Sequence, residues 1–148
     1  MLICKEYVNF IKSTLKISHR TILINFDSNP ALSIICTHAP TDNRNLTEAG
    51  SIIVQDYYDE LSTTIGNLPK HNILFVVGDF NARIGYDRHI TSPQLIGKHT
   101  LHQQTNENGE KLVDLCQNHS SVPDTIRIRT SKQQKMDSRK LQKRIKWK

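Results

Sequence analysis

No apolar run in this chain is long enough to cross a membrane. The longest, such as Ile73–Val77, are far shorter than the roughly 18 residues a span needs. No C-x-x-C pair occurs, and the three cysteines, Cys4, Cys36 and Cys116, are widely spaced and odd in number. That pattern offers neither a zinc site nor a disulfide framework. Lys5 and Glu6 stand where a secretion signal would place an apolar block, so none is read. The expectation is an intracellular chain, nuclear or cytoplasmic, in a reducing compartment. There is no internal repeat. The 148 residues, 36% hydrophobic and 23% charged, suit one soluble domain with a modest core.

Charge is unevenly spread. Residues 1–126 hold ten Lys/Arg against thirteen Asp/Glu, a net of −3, whereas residues 127–148 hold ten against one, a net of +9. A basic footprint belongs where its charges lie, so the body carries none. The tail residues Arg127, Arg129, Lys132, Lys135, Arg139, Lys140, Lys143 and Arg144 suit sequence-blind attraction to nucleic acid, or a nuclear-localisation patch. Such charge runs are more often a solvated, disordered end, or here eroded sequence around a broken element with no selected role.

Along the chain, Val8, Ile11 and Leu15 repeat at helical spacing and predict a helix over residues 4–16. Ile22, Ile24 and Phe26 alternate in Thr21–Phe26, which predicts a strand with one buried side. Asn29-Pro30 signals a turn into a second strand, Leu32–Cys36, and the two should form a hairpin. His38–Arg44 reads as loop. A helix capped near Thr47 should run to about Thr64, with Val54, Tyr57, Tyr58, Leu61 and Ile65 on one stripe, and Gly66-Asn67-Leu68-Pro69 should end it. Ile73–Val77 reads as a central strand buried on both faces. Residues 79–106 read as a long loop. A short helix from about Gly109 to Asn118 should pack through Leu112, Leu115 and Cys116. Strands interleaved with helices predict an α/β architecture.

Gly78-Asp79-Phe80-Asn81 follows the apolar strand directly. If the chain stays extended, the acid and the amide face the same way. Both offer hard oxygen atoms, and the carboxylate can also take a proton from water, which suits Mg²⁺-assisted attack on a phosphate. A plain turn after a strand uses the same residue types.

Three segments in order sharpen the choice: Ile34-Ile35-Cys36-Thr37-His38-Ala39-Pro40-Thr41, then Gly78-Asp79-Phe80-Asn81, then Thr105-Asn106-Glu107-Asn108-Gly109-Glu110-Lys111-Leu112. Together they resemble the middle of the endonuclease/exonuclease/phosphatase superfamily over roughly residues 18–120. The likeness is to the endonuclease module of non-long-terminal-repeat retrotransposons and to host proteins of the craniofacial-development-protein-2-like kind. Pro69-Lys70-His71-Asn72 is similar to the family's turn before its central strand.

The resemblance implies a partial four-layer sandwich of two mixed β-sheets flanked by helices, truncated at both ends. Residues 1–17 would be an N-terminal helix or extension, residues 18–122 the partial domain and residues 123–148 the tail. It also implies a Mg²⁺-dependent (or Mn²⁺-dependent) endonuclease acting on DNA, with a reverse transcriptase module as a possible companion in a parent element. Asp79 would orient and deprotonate water or bind the metal, and Asn81 would hold that water, a phosphate oxygen or the metal. Asn106 and Asn108 would shape a nearby loop, although a helix cap explains Asn108 as readily. His38 stands where the family has a tyrosine that donates to the phosphate. A histidine can donate too, but histidines titrate near neutral pH. The family's metal-gripping Glu and its C-terminal Asp-His pair have no counterpart here; Glu6 lies in no matching motif, and Trp147 is the sole hint of the family's Trp-rich strand. Related members cleave lipid or inositol phosphates, so the substrate class is not fixed by these motifs alone.

Overall fold

The computed structural model describes residues 3–41 and 48–119. The chain is α/β and divides into two compact units, Met1–Asn81 and Ala82–Lys148. Among the described residues no helix is long and apolar enough to cross a membrane.

The first unit opens with a short 3-10 helix, Lys5–Phe10, followed by strand β1, Ile11–Lys16. The helix predicted over residues 4–16 is therefore replaced by a turn of 3-10 helix and a strand. The spacing of Val8, Ile11 and Leu15 fits a helix, but backbone pairing with the next strand takes Ile11–Lys16 into the sheet instead. Strand β2, Thr21–Phe26, and strand β3, Leu32–His38, form the predicted antiparallel hairpin across Asn29-Pro30. Strand β3 runs two residues further than expected, into the segment read as loop. Helix α1, Glu48–Gly66, leads to strand β4, Ile73–Asp79, which pairs parallel to β3. The expected cap at Thr47 lies outside the described residues. The sheet order is β1-β2-β3-β4, which makes β4 an edge strand within the sheet.

The two faces of the sheet differ sharply. One carries Thr21 and Leu23 of β2 beside Thr37 and Ile35 of β3, and all four are buried. The Tyr57 hydroxyl shares a 2.9 Å hydrogen bond with Thr37 Oγ1, which fixes α1 against this face. Thr37 Oγ1 in turn shares one of 3.2 Å with Thr21 Oγ1, so none of these three buried hydroxyls lacks a partner. Val54, Tyr57, Tyr58, Leu61 and Ile65 are all buried, as the helical stripe requires. Burial pushes the Tyr57 phenol above its ordinary range. The Thr37 bond pulls it back, Glu60 adds to the rise, and Arg20 opposes it.

The opposite face aligns Ile22, Cys36 and Val77 in one row, Ile24, Ile34 and Phe75 in the next, and Phe26, Leu32 and Ile73 in a third. This grid is apolar throughout, yet Phe75 remains 53% exposed and Ile22, Ile73 and Val77 are also exposed. The reading of Ile73–Val77 as buried on both faces is thus corrected. Leu74 and Val76 are half-buried, whereas their neighbours on the strand stand open. The one-sided reading of β2 is corrected too: Leu23 and Ile24 are both buried, while Ile22 is exposed.

The second unit holds helix α2, Tyr86–Thr91, and helix α3, Glu107–His119. A bridge between Gly85 and His102 joins the segments around them, so residues 79–106 are more structured than the predicted loop. Ile84, Ile96 and Val113 form its core, with Leu95 and Leu112 packed against them. Val113 belongs to the buried side of α3 along with Leu115 and Cys116. Arg88 on α2 pairs with Glu110 on α3. Asp87 binds Thr105 through both carboxylate oxygens. Its slight desolvation, which alone raises the carboxyl, is outweighed by hydrogen bonds from Thr105 and the Arg88 amide and by the Arg88 charge, which together hold it below the usual range.

Burial pushes the Cys116 thiol up to about 11, so little thiolate forms near neutral pH. Cys4 is exposed. In the native chain iodoacetamide is expected to label Cys4 well before Cys116, as read by peptide mass mapping. Equal rates would contradict the packing of α3.

Candidate functional site at the strand ends

Strands β3 and β4 run parallel, so their carboxyl ends lie side by side. In open α/β sheets such ends are where ligands settle. Two segments whose paired residues are 41 positions apart in sequence meet there. His38 is aligned with Asp79, and Thr37 with Gly78. The Ala39 amide donates to the Asp79 carbonyl at 2.8 Å, carrying the pairing past the end of β3.

Gly78 makes this approach possible. Its φ is +152°, and a Cβ there would fall 1.7 Å from the Thr37 carbonyl oxygen. Beyond it the chain does not stay extended, as the simplest reading of Asp79 and Asn81 required. Asn81 sits at φ 48°, in the left-handed region. Asparagine is among the few residues besides glycine that visit this region routinely. Its backbone N–H donates to Asp79 Oδ1 at 2.9 Å, closing an Asx turn. Its side-chain Nδ2 donates to the Ala39 carbonyl, also at 2.9 Å. The turn reading and the site reading therefore describe one object: a turn that ties the carboxylate to the amide and both to the end of β3.

Asp79 is exposed, Asn81 half-buried and His38 exposed. Asp79, Asn81 and His38 thus lie together at the carboxyl ends of two neighbouring strands, with Asn81 turned back toward them and not extended beyond Asp79. Asn106 and Asn108 belong to the second unit. There the cap of α3 is Asn106 and not Asn108: Asn106 Oδ1 accepts from the Gly109 amide at 2.9 Å and from the Arg83 amide at 2.7 Å. Asn108 lies in the first helical turn, fully buried. The tail residues Arg127, Arg129, Lys132, Lys135, Arg139, Lys140, Lys143 and Arg144 lie outside the described residues.

Two features had no motif to announce them. Arg20, just before β2, lies opposite His38: the His38 amide donates to the Arg20 carbonyl at 3.1 Å, and Arg20 Nη1 reaches the His38 carbonyl at 3.4 Å. The second is a cleft of about 800 Å³ beside β1, β2 and the end of α1, lined among others by Lys12, Leu23, Phe26, Glu60 and His71. Along that side of the sheet a ladder of side-chain bonds links Ser13, Asn25, Ser33 and Asn72. Pro69, His71 and Asn72 of the turn before β4 line the cleft, whereas His38, Asp79 and Asn81 do not.

As for a cation, no three His, Cys, Asp or Glu side chains come together in a metal-holding group among the described residues. The strand-end turn offers one carboxylate and one amide oxygen. Mg²⁺ takes six oxygen atoms and commonly keeps several waters beside one or two carboxylates and substrate phosphate. The pair therefore fits a minor share of such a shell.

With the geometry in place, the comparisons with known proteins point one way. The chain is similar to craniofacial development protein 2. It is 33% identical to the protein of that name from Tragulus javanicus over 104 residues, covering 70% of this chain and 17% of that protein. The protein of that name from Bos taurus is 32% identical over 104 residues, covering 70% of this chain and 16% of that protein. The chain thus spans about a sixth of the length of the curated relatives it matches. No family model matches the chain, and no solved structure matches it.

Proposed function

We propose that this chain carries part of the site of a metal-dependent phosphodiester endonuclease of the endonuclease/exonuclease/phosphatase kind, retrotransposon-derived, and that these 148 residues alone are weak or inactive as a catalyst. The observation that carries the reading is the meeting of His38-Ala39 with Asp79 and Asn81 at the ends of two parallel strands. In this reading Asp79 binds the cation or takes a proton from water, and Asn81 holds that water or a phosphate oxygen. His38, exposed in register with Asp79, donates to the phosphate. Mg²⁺, or Mn²⁺ in its place, would supply a Lewis acid for the phosphoryl oxygen. Asp79 and Asn81 would be its ligands from this chain, and DNA its substrate.

The partly open apolar face extends the reading to architecture. A sheet with one face under a helix and the other apolar but exposed at Ile22, Ile73, Phe75 and Val77 suits cover on both sides. A second sheet against the grid around Ile34 and Phe75 would complete the four-layer sandwich.

The expected inactivity follows from the sequence. No residue matches the metal-gripping Glu or the charge-stabilising Asp-His pair, and one lost oxyanion donor alone is worth about 3–4 kcal/mol of transition-state stabilisation. The chain is expected to nick supercoiled plasmid no faster than buffer with Mg²⁺ or Mn²⁺. Robust nicking that Asp79→Ala abolishes would refute the inactivity and leave the site assignment standing. The site assignment has its own test. Titrating Mg²⁺ into the ¹⁵N-labelled chain should shift the amides of His38, Ala39 and Asp79–Asn81, and Asp79→Ala should remove those shifts. A response spread evenly over the acidic residues would defeat it.

A second, non-enzymatic reading rests on the tail: a degenerate remnant whose remaining activity is non-specific nucleic-acid binding through residues 127–148. Its charge of +9, against −3 for the rest, favours that reading.

A further inference from the structure

We infer that Arg20 and His38 form an anion-binding subsite for one phosphodiester group, beside Asp79. The inference rests on the strand-end reading above, because it supplies the part of the substrate that Asp79 cannot hold. Three residues stand in line across three adjacent backbone positions. Arg20 is opposite His38 through the His38 amide, and His38 is opposite Asp79 in the parallel register. Two strand spacings of about 4.8 Å put the backbones of Arg20 and Asp79 about 10 Å apart. A phosphate lying over His38 would sit between the two side chains.

Arg20 is held for such a role. Its amide donates to Ser18 Oγ at 3.1 Å, and Ser18 Oγ donates to Glu60 Oε1 at 2.9 Å, which anchors the segment to α1. Its carbonyl is anchored by His38, and Nη1 rests on the His38 carbonyl. The residue is half-buried, yet among the described residues no carboxylate pairs with it; Glu60, the acid of this network, is bound to Ser18. A guanidinium has five N–H donors in a fixed fork that matches a phosphate, and one is committed here. The balance of charge favours the same ligand. Asp79 alone repels a phosphodiester, and a fixed cation across His38 offsets that repulsion while leaving the carboxylate to a divalent ion.

The test uses the full chain and dimethyl phosphate, a phosphodiester without a base, followed by ¹H–¹⁵N spectra that include arginine Nε–Hε. Arg127 and Arg129 in the tail serve as internal references for sequence-blind attraction. The Arg20 Nε–Hε signal is expected to shift at least about threefold more per unit of ligand than theirs, as a positioned fork should. The His38 and Asp79 amides should move with it. Arg20→Gln should abolish those amide shifts, and Arg20→Lys, which keeps the charge but not the fork, should retain less than half of them. An Arg20 response no larger than that of Arg127, or His38 shifts that persist in Arg20→Gln, overturns the inference. Mg²⁺ shifts at Asp79 and Asn81 separate the two levels. If they occur without any selective response to dimethyl phosphate, the subsite alone is wrong. If they fail as well, the strand-end reading falls with it.

Discussion

Gly78→Ala is expected to destabilise the first unit by at least about 3 kcal/mol, among the larger effects a single small substitution produces. Two causes act together. The backbone at Gly78 holds φ +152°, a conformation that costs an L-residue of order 1–3 kcal/mol. The added methyl would also lie 1.7 Å from the Thr37 carbonyl oxygen and 2.7 Å from its carbon. That neighbour is backbone, not the end of a flexible side chain, and cannot swing aside. Moving it means parting β3 from β4 at the Thr37–Gly78 pair. It also disturbs the buried hydroxyl chain through which Thr37 meets Thr21 and Tyr57. The comparison is Val77→Ala on the same strand, which removes a side chain already 40% exposed and should cost no more than about 1 kcal/mol. Urea unfolding of the two variants beside the parent chain provides the measurement. Equal midpoints for both would show that the strands approach less closely at Gly78 than a contact with the Thr37 carbonyl requires.

That close approach also shows where sequence reading runs out. Gly78-Asp79-Phe80-Asn81 is visible as a motif because its residue types are unusual after an apolar run. Its partner is not, because a parallel neighbour is chosen by the path of α1 and leaves no local trace. The stripe Val54, Tyr57, Tyr58, Leu61 and Ile65 is legible because α1 buries one side only, and that asymmetry is written at the helical period. β1 leaves no such record. Most of its side chains are exposed, and it joins the sheet through backbone bonds that do not depend on the pattern. β4 was recognisable as a strand, but its burial was not. Apolar residues on both faces state that both are meant to be covered, and among the described residues α1 covers one of them while the other stays partly open. At Asn81 a signal was present and was outweighed: asparagine's tolerance of left-handed backbone already favoured a turn over an extended chain. Arg20 could have been found by counting back from Asn29-Pro30 along the hairpin, since an antiparallel register that pairs Thr21 with Thr37 sets Arg20 against His38.

Removing residues 123–148 is expected to weaken binding to double-stranded DNA by at least about a hundredfold at low salt, because it removes the cations on which counterion release depends. The remaining residues 1–122 hold ten Lys/Arg against twelve Asp/Glu, so the shortened chain should be repelled on average. In the full chain, each phosphate neutralised contributes about −0.9 to the slope of log K against log salt, and six to eight contacts from ten cations would give about −5 to −7. Fluorescence anisotropy with a labelled duplex, from 50 to 200 mM salt, reads both quantities. Asp79→Ala should change neither, since it removes one acid from a surface the tail does not need. This separates two ways of engaging nucleic acid. Tail attraction would be strong at low salt, indifferent to sequence and in need of no divalent cation, whereas the proposed strand-end site would act on one phosphate and require a cation at Asp79. Undiminished binding by residues 1–122 would place the DNA surface on the acidic body, where a single cation such as Arg20 would have to outweigh its surroundings.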